Sequence, residues 1–140
     1  MNTTQNQTPK NRLRVNASNY DLVCDAINIV DITSALTLAT GYTATGRTHI
    51  YKQGKHVFGT IVVSKDSGTF PSSGAAEIGY MNAYRPKFQY VSGSFFSETE
   101  WTVASSGYAF IDSTSPGHIL VRDALTTNTF VKISIDYVVS

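Results

Sequence analysis

Thr48-His-Ile-Tyr-Lys-Gln-Gly-Lys-His-Val-Phe-Gly-Thr-Ile-Val-Val-Ser64 sets two β-rich runs about a glycine-bearing break. That arrangement is the short-range signature of a β-hairpin. Taking Gln53-Gly54 as a two-residue loop places Lys52 opposite Lys55, Ile50 opposite Val57 and His49 opposite Phe58. Glycine at 54 supplies the positive φ that a tight turn demands. Side chains alternate along a strand, so Ile50, Val57, Ile61 and Val63 share one face. Tyr51, His56, Phe58, Thr60 and Val62 share the other. Apolar groups on both faces predict a hairpin at the centre of a β-sandwich, covered on each side.

The rest of the chain repeats this pattern at close intervals. Phe130–Val139 is the clearest strand, with Val131, Ile133, Ile135, Tyr137 and Val139 facing one way and Phe130, Lys132, Ser134, Asp136 and Val138 the other. Lys87–Phe96, Trp101–Val103, Tyr108–Asp112 and His118–Arg122 read as further strands. Ser105-Ser106-Gly107 and Ser113–Gly117 read as the turns between them. Upstream, Ser34–Thr45 alternates as one strand that breaks at Gly41 and Gly46, and Lys65–Ala75 has the turn chemistry of a loop. Glu77–Tyr84 is a short strand that stops at Arg85-Pro86, where proline's missing amide hydrogen calls for a strand end or sheet edge. About eight short strands with frequent turns predict an all-β, compact antiparallel β-sandwich or barrel, jelly-roll-like.

Length and composition agree. A chain of 140 residues is expected to form a single domain over 19–140, large enough to bury a core without metal or disulfide staples. Only 15% of residues are charged, and the abundance of Val, Ile, Thr and aromatic residues suits a pleated, half-buried surface. Residues 1–18 are polar and aperiodic, and predict a flexible segment that buries too little to offset its ordering entropy. The Asn-x-Ser/Thr matches at Asn2, Asn6 and Asn16 fall within this Asn/Thr-rich stretch. Asn19–Asp31 is ambiguous: Leu22, Val23, Ala26, Ile27 and Val30 recur at helical spacing, whereas Ile27, Ile29 and Asp31 alternate. A short helix or turn at the domain entrance is the expectation there.

Several function classes lose support at this level. A net charge of +1 leaves no broad electrostatic footprint for nucleic acid or an anionic membrane. No apolar run approaches the roughly 20 residues of a membrane-spanning helix. The single cysteine, Cys24, excludes an internal disulfide and reads as a small buried apolar residue. His49, His56 and His118 lie on separate segments without zinc-ligand spacing, so neither metal nor other cofactor is expected. Nucleophile-elbow, phosphate-loop and zincin motifs are missing from the sequence. Glu98 and Glu100, two apart, satisfy the crudest requirement of a glycosidase pair, but read more simply as a solvated strand start. Trp101 is either a core anchor or a platform on which the apolar face of a sugar ring stacks. Glu98, Glu100, Tyr108 and Asp112 are near enough in sequence to take the hydroxyls.

Taken in order, Gly41-Tyr42, Tyr51-Lys-Gln-Gly-Lys-His-Val57, Tyr84-Arg85-Pro86, Tyr108-Ala-Phe-Ile111, Pro116-Gly117, Ile119-Leu-Val121 and Phe130-Val-Lys-Ile-Ser-Ile-Asp-Tyr137 resemble a known group. This is the C-terminal head domain of siphophage tail receptor-binding and baseplate proteins. The resemblance runs from about Ile32 to the C-terminus. Family members often carry a Leu-Pro-x-Gly-Tyr-Arg-Pro run where this chain has Tyr80-Met-Asn-Ala-Tyr-Arg-Pro86. The resemblance implies a homotrimer on a virion tail tip or baseplate, beside other phage tail proteins, that binds host cell-wall polysaccharide without catalysis. Lactococcal-phage members hold the sugar with an aromatic and an acidic residue beyond the Arg-Pro strand. Here those positions fall on Trp101 and Asp112, with Glu100 and Tyr108 beside them. The expectation is a head piece or a small accessory baseplate protein; the alternative is a purely structural tail subunit that contacts only protein.

Overall fold

The computed structural model describes residues 28–140. The flexible segment expected at 1–18, the greater part of the helix or turn expected from Asn19, and Cys24 all lie outside the described residues. Ten strands follow: β1 (Ile29–Asp31), β2 (Thr37–Leu38), β3 (Tyr42–Ala44), β4 (His49–Gln53), β5 (His56–Lys65), β6 (Ala76–Tyr80), β7 (Tyr90–Ser97), β8 (Ser105–Ile111), β9 (His118–Arg122) and β10 (Phe130–Val138). They form one antiparallel sheet in the order β1-β4-β5-β10-β7-β8-β9-β6-β2, with β3 beside β5 beyond the end of β4. The sheet curls into a half-barrel. The expected all-β antiparallel class therefore holds, in a form nearer the barrel than the two-layered sandwich.

Alternation explains where the core sits. Ile50 of β4, Val57, Ile61 and Val63 of β5, and Val131, Ile133, Ile135 and Tyr137 of β10 all point into the curl and are buried, as the sequence pattern requires. Ile111, Ile119, Val121, Phe96 and Ile78 complete the lining from the opposite wall. Phe70, carried on the 66–75 loop, closes one end of the curl. Its ring meets Phe96 edge-on at 5.3 Å and Tyr42 at 6.0 Å, and its amide donates to the Asn128 carbonyl at 3.0 Å. The Tyr137 hydroxyl donates to the Tyr84 carbonyl at 2.8 Å, and burial pushes its phenol well above the ordinary range. Pro86 lies within the 81–89 connection, in an isolated bridge to Val139; the strand expected to run to Tyr84 ends at Tyr80, well before the proline.

Several expectations are corrected. Gln53 pairs with His56, so the hairpin loop is Gly54-Lys55 rather than Gln53-Gly54, with Gly54 taking φ +59° at the first loop position. Ile50 then faces Gly59 and His49 faces Thr60. The shift is two residues, and because the side-chain period is also two, every side chain keeps its face. The hairpin is internal to the sheet, and its outer face is covered only toward its end, where Val62 is buried. His49, Tyr51, His56, Phe58 and Thr60 remain partly or fully exposed, with no second sheet above them. They shield one another sideways instead: ring centroids lie 6.3 Å apart for His49–Tyr51, 5.9 Å for Tyr51–Phe58 and 5.1 Å for His56–Phe58.

Ile29–Asp31 forms an edge strand on β4, so the alternating pattern prevails over the helical one in the described part of that segment. Ser34–Thr45, expected as one strand, begins in a single 3-10 turn at Thr33–Ala35 and continues as β2 and β3, separated by a turn at Gly41. Trp101–Val103 is not a strand, and Ser105-Ser106-Gly107 is not a turn. These three residues begin β8, opposite Phe96, Phe95 and Ser94, and the connection lies earlier, at 98–104. Gly107 is there for close approach: a Cβ would stand 1.9 Å from the Arg122 carbonyl oxygen.

Equilibrium denaturation checks this packing. Ile133→Ala is expected to cost about 2–5 kcal/mol through lost transfer energy and the remaining cavity. Ser134→Ala, one residue along and facing solvent, should cost less than about 0.5 kcal/mol. Gly107→Ala should cost at least about 1–3 kcal/mol through overpacking against β9. Equal costs for Ile133→Ala and Ser134→Ala would refute the assigned faces.

Candidate functional site

The outer face of β4, β5 and β10 is the floor of a groove of about 620 Å³. His49 and Tyr51 come from β4, Gly59, Thr60 and Val62 from β5, and Lys132 from β10. Glu100–Val103 of the β7–β8 connection forms one wall, and Gly46-Arg47 of the β3–β4 connection lies at another side. Each wall is held by identifiable bonds.

The Arg47 turn is held by threonine hydroxyls. Thr48 is buried at 6% exposure; its Oγ1 donates to the Val62 carbonyl at 2.9 Å and accepts from the Val62 amide at 3.0 Å. One side chain thus takes the place of a strand partner where β4 has not yet begun to pair with β5. Thr45 completes the turn, its amide donating to the Val62 carbonyl and its Oγ1 accepting from the Arg47 amide. The 98–104 wall is anchored by the Ala104 amide, which donates to the Phe96 carbonyl at 2.8 Å. Thr99 Oγ1 and Thr102 Oγ1 lie 2.8 Å apart within it.

Trp101 stands on this wall with 76% of its surface exposed, which excludes the core-anchor reading. The Arg47 guanidinium lies 4.4 Å from the centre of its ring, within cation–π range. Among the described residues, the Arg47 side chain has no hydrogen-bonded acceptor. Partial burial, with Arg47 nearby, pulls the Lys132 ammonium below the ordinary lysine range, while Glu100 pulls it upward. The groove therefore combines one exposed indole, two cations, one carboxylate and an aromatic floor. Such a set can stack against a ring and exchange hydrogen bonds with hydroxyl or acid groups around it.

The sequence-expected residues do not all meet here. Trp101 and Glu100 share the groove. Tyr108 lies elsewhere, on the outer face of β8, lining a separate depression of about 420 Å³ with Ser72, Arg122 and Asp123. Its hydroxyl accepts from Arg122 Nη1 at 3.3 Å, and its ring stacks on Phe110 at 6.3 Å. Asp112 lines neither; it follows β8 at the start of the 113–117 turn, its amide bonded to the His118 carbonyl. Arg47, His49, Tyr51 and Lys132 also line the groove, and none of them was expected from the sequence as a saccharide contact. A cation on the outer side of an otherwise apolar-patterned strand was the available signal for Lys132.

The other histidines are engaged one by one. His56 Nε2 contacts Asp136 Oδ1, and His118 Nδ1 lies 2.6 Å from Glu77 Oε2. Among the described residues, no three metal-binding side chains converge. Compared with known proteins, the chain matches no family model, and no curated protein matches it.

Trp101 is the only tryptophan, so its fluorescence reports the groove directly. Arg47→Met should shift the emission maximum and raise acrylamide quenching, because the guanidinium that covers the indole is gone. Unchanged emission and quenching would mean that Arg47 and Trp101 do not stack in solution.

Proposed function

We propose that this domain binds a saccharide at the surface of a host cell, in the groove below Trp101, without chemical change to it. The observation that carries the reading is an indole 76% exposed beside a groove floored by His49 and Tyr51 and flanked by Arg47 and Glu100. An aromatic face covers the apolar side of a sugar ring, and the surrounding polar groups take its hydroxyls. The resemblance to siphophage tail head domains supports a place on a virion tail tip or baseplate, as a homotrimer among other tail proteins. A shallow open groove leaves much of a sugar wet, so single-site affinity is weak. Several copies on one tail then bind firmly through effective concentration.

A second reading, a structural tail subunit with protein contacts alone, is favoured by a different face. Val91 and Phe95 of β7 are 63% and 49% exposed, and Val91, Phe110 and Leu120 stand in one cross-strand row over β7, β8 and β9. An apolar row of this kind is suited to a protein partner.

Trp101→Ala is the decisive substitution. The variant should keep the parent's circular dichroism and melting temperature, since the indole contributes little buried area, and should lose binding to host cell walls and to the glycans that the parent selects on an array. A folded variant that binds as well as the parent removes the groove from the reading. A parent that binds no glycan leaves the structural-subunit reading. Light scattering at micromolar concentration should give three times the chain mass, and a monomer would overturn the trimer.

A further inference from the structure

We infer that Lys132 is a positioning residue whose ammonium holds the β7–β8 connection in the shape that presents Trp101 to the groove. The inference rests on the groove being the saccharide site only for its consequence in binding; its structural content stands separately.

Lys132 lies on the outer face of β10, opposite Phe95 of β7 and Val62 of β5. From there its side chain reaches the connection that follows β7. Nζ donates to Ser97 Oγ at 2.7 Å, to the Thr102 carbonyl at 2.5 Å and, at the long end of the range, to the Thr99 carbonyl at 3.4 Å. An ammonium has three protons, and three acceptors are present, two of them on either side of Trp101 in sequence. Ser97, fully buried, passes the restraint on: its hydroxyl accepts from Lys132 and donates to the Thr99 carbonyl.

The connection needs such a tie. Regular pairing of β7 with β8 ends at Phe96–Ser105, so the carbonyls of 99 and 102 have no opposite strand to accept from. Trp101 itself, largely exposed, has little packing to fix it. The ammonium satisfies these two carbonyls and the Ser97 hydroxyl with charge-assisted bonds, which are stronger than neutral ones. With the Lys132 donors directed into the wall, Arg47 is left as the groove cation that faces a ligand's oxygens. Lys132 thus acts on the ligand through Trp101 and not by touching it.

The test compares Lys132→Met, which keeps the stem and removes the charge, with Lys132→Arg, which keeps charge and donors. Steady-state anisotropy and acrylamide quenching of Trp101 are measured on the whole chain, together with melting temperature and binding to host cell walls. Lys132→Met should lower the anisotropy, raise the quenching and weaken binding by about tenfold, the order expected when a preorganised contact must be ordered on binding. Lys132→Arg should restore all three. If Lys132→Met does not fold, Ser97→Ala takes its place, with the same changes in smaller degree. A folded Lys132→Met whose Trp101 anisotropy and quenching equal the parent's overturns the positioning role. Looser fluorescence with undiminished binding keeps the hold on Trp101 and overturns its consequence for the ligand, because the shape of the wall would then not matter to binding. A parent that binds no cell wall defeats the saccharide reading, and the fluorescence pair still decides whether Lys132 holds Trp101.

Discussion

Nine consecutive residue pairs, from Phe130–Ser64 to Val138–His56, join β10 to β5. Both strands are long, both are rich in β-branched residues, and their ladder lies inside the sheet with β4 and β3 on one side and β7 on the other. Because the side-chain period is two, this one register decides the position of every side chain in the nine pairs at once, and a slip by a single residue would turn the whole core face to water. The buried set of Val57, Ile61, Val63, Val131, Ile133, Ile135 and Tyr137 resists that slip. The same constraint fixes Thr60, Val62 and Lys132 on the outer side. The groove floor is therefore a by-product of core packing, and its geometry is as firm as the core itself.

Curvature brings the walls to that floor. A sheet of ten strands that stays open tends to twist and curl. Here the curl is tight enough that at Gly59, Gly79 and Gly107 a neighbouring carbonyl oxygen lies within 2.2 Å of where a Cβ would stand. Strand ends then carry the chemistry: the Arg47 turn precedes β4, and the Trp101 wall links β7 to β8. Loops positioned by a rigid sheet are where binding groups are commonly found. In this chain the positioning is explicit, through Thr48 on Val62 and Lys132 on Thr99 and Thr102.

The sequence made the class, the core faces of β5 and β10 and the boundaries of β9 legible, because apolar residues recur with a period of two along the two long strands and the Ser113–Gly117 turn marks where β9 begins. Where alternation is short or interrupted, reading fails for physical reasons. Trp101-Thr-Val103 alternates, yet its Thr102 carbonyl finds a cation from another strand, a non-local partner that local pattern cannot reveal. Ser105-Ser106-Gly107 has turn composition, but its glycine answers to the approach of β9. Of the four site residues expected, Trp101 and Glu100 are neighbours in sequence and share one connection, so they stay together. Tyr108 and Asp112 belong to β8 and the turn that follows it, and β8 leads away from the groove. Proximity in sequence is preserved within a loop and lost across a strand.

The exposure of Trp101 is the point at which stability and function separate. Beneath that end of the sheet the interior is already filled by Phe70 and Phe96, both fully buried and in edge-to-face contact, so packing has no use for a further large ring. An indole left in water forgoes the transfer energy that makes tryptophan a good core residue. Its contact with Arg47 returns only about 0.5–1 kcal/mol, the usual value at an exposed site. Neither propensity nor burial accounts for an indole at 101, since a polar residue would serve the connection equally well. What an exposed indole offers, and a polar residue does not, is a rigid apolar face ready for a ring that is apolar on one side and hydroxylated at its rim. On the saccharide reading proposed above, that face is the use to which the exposed indole is put.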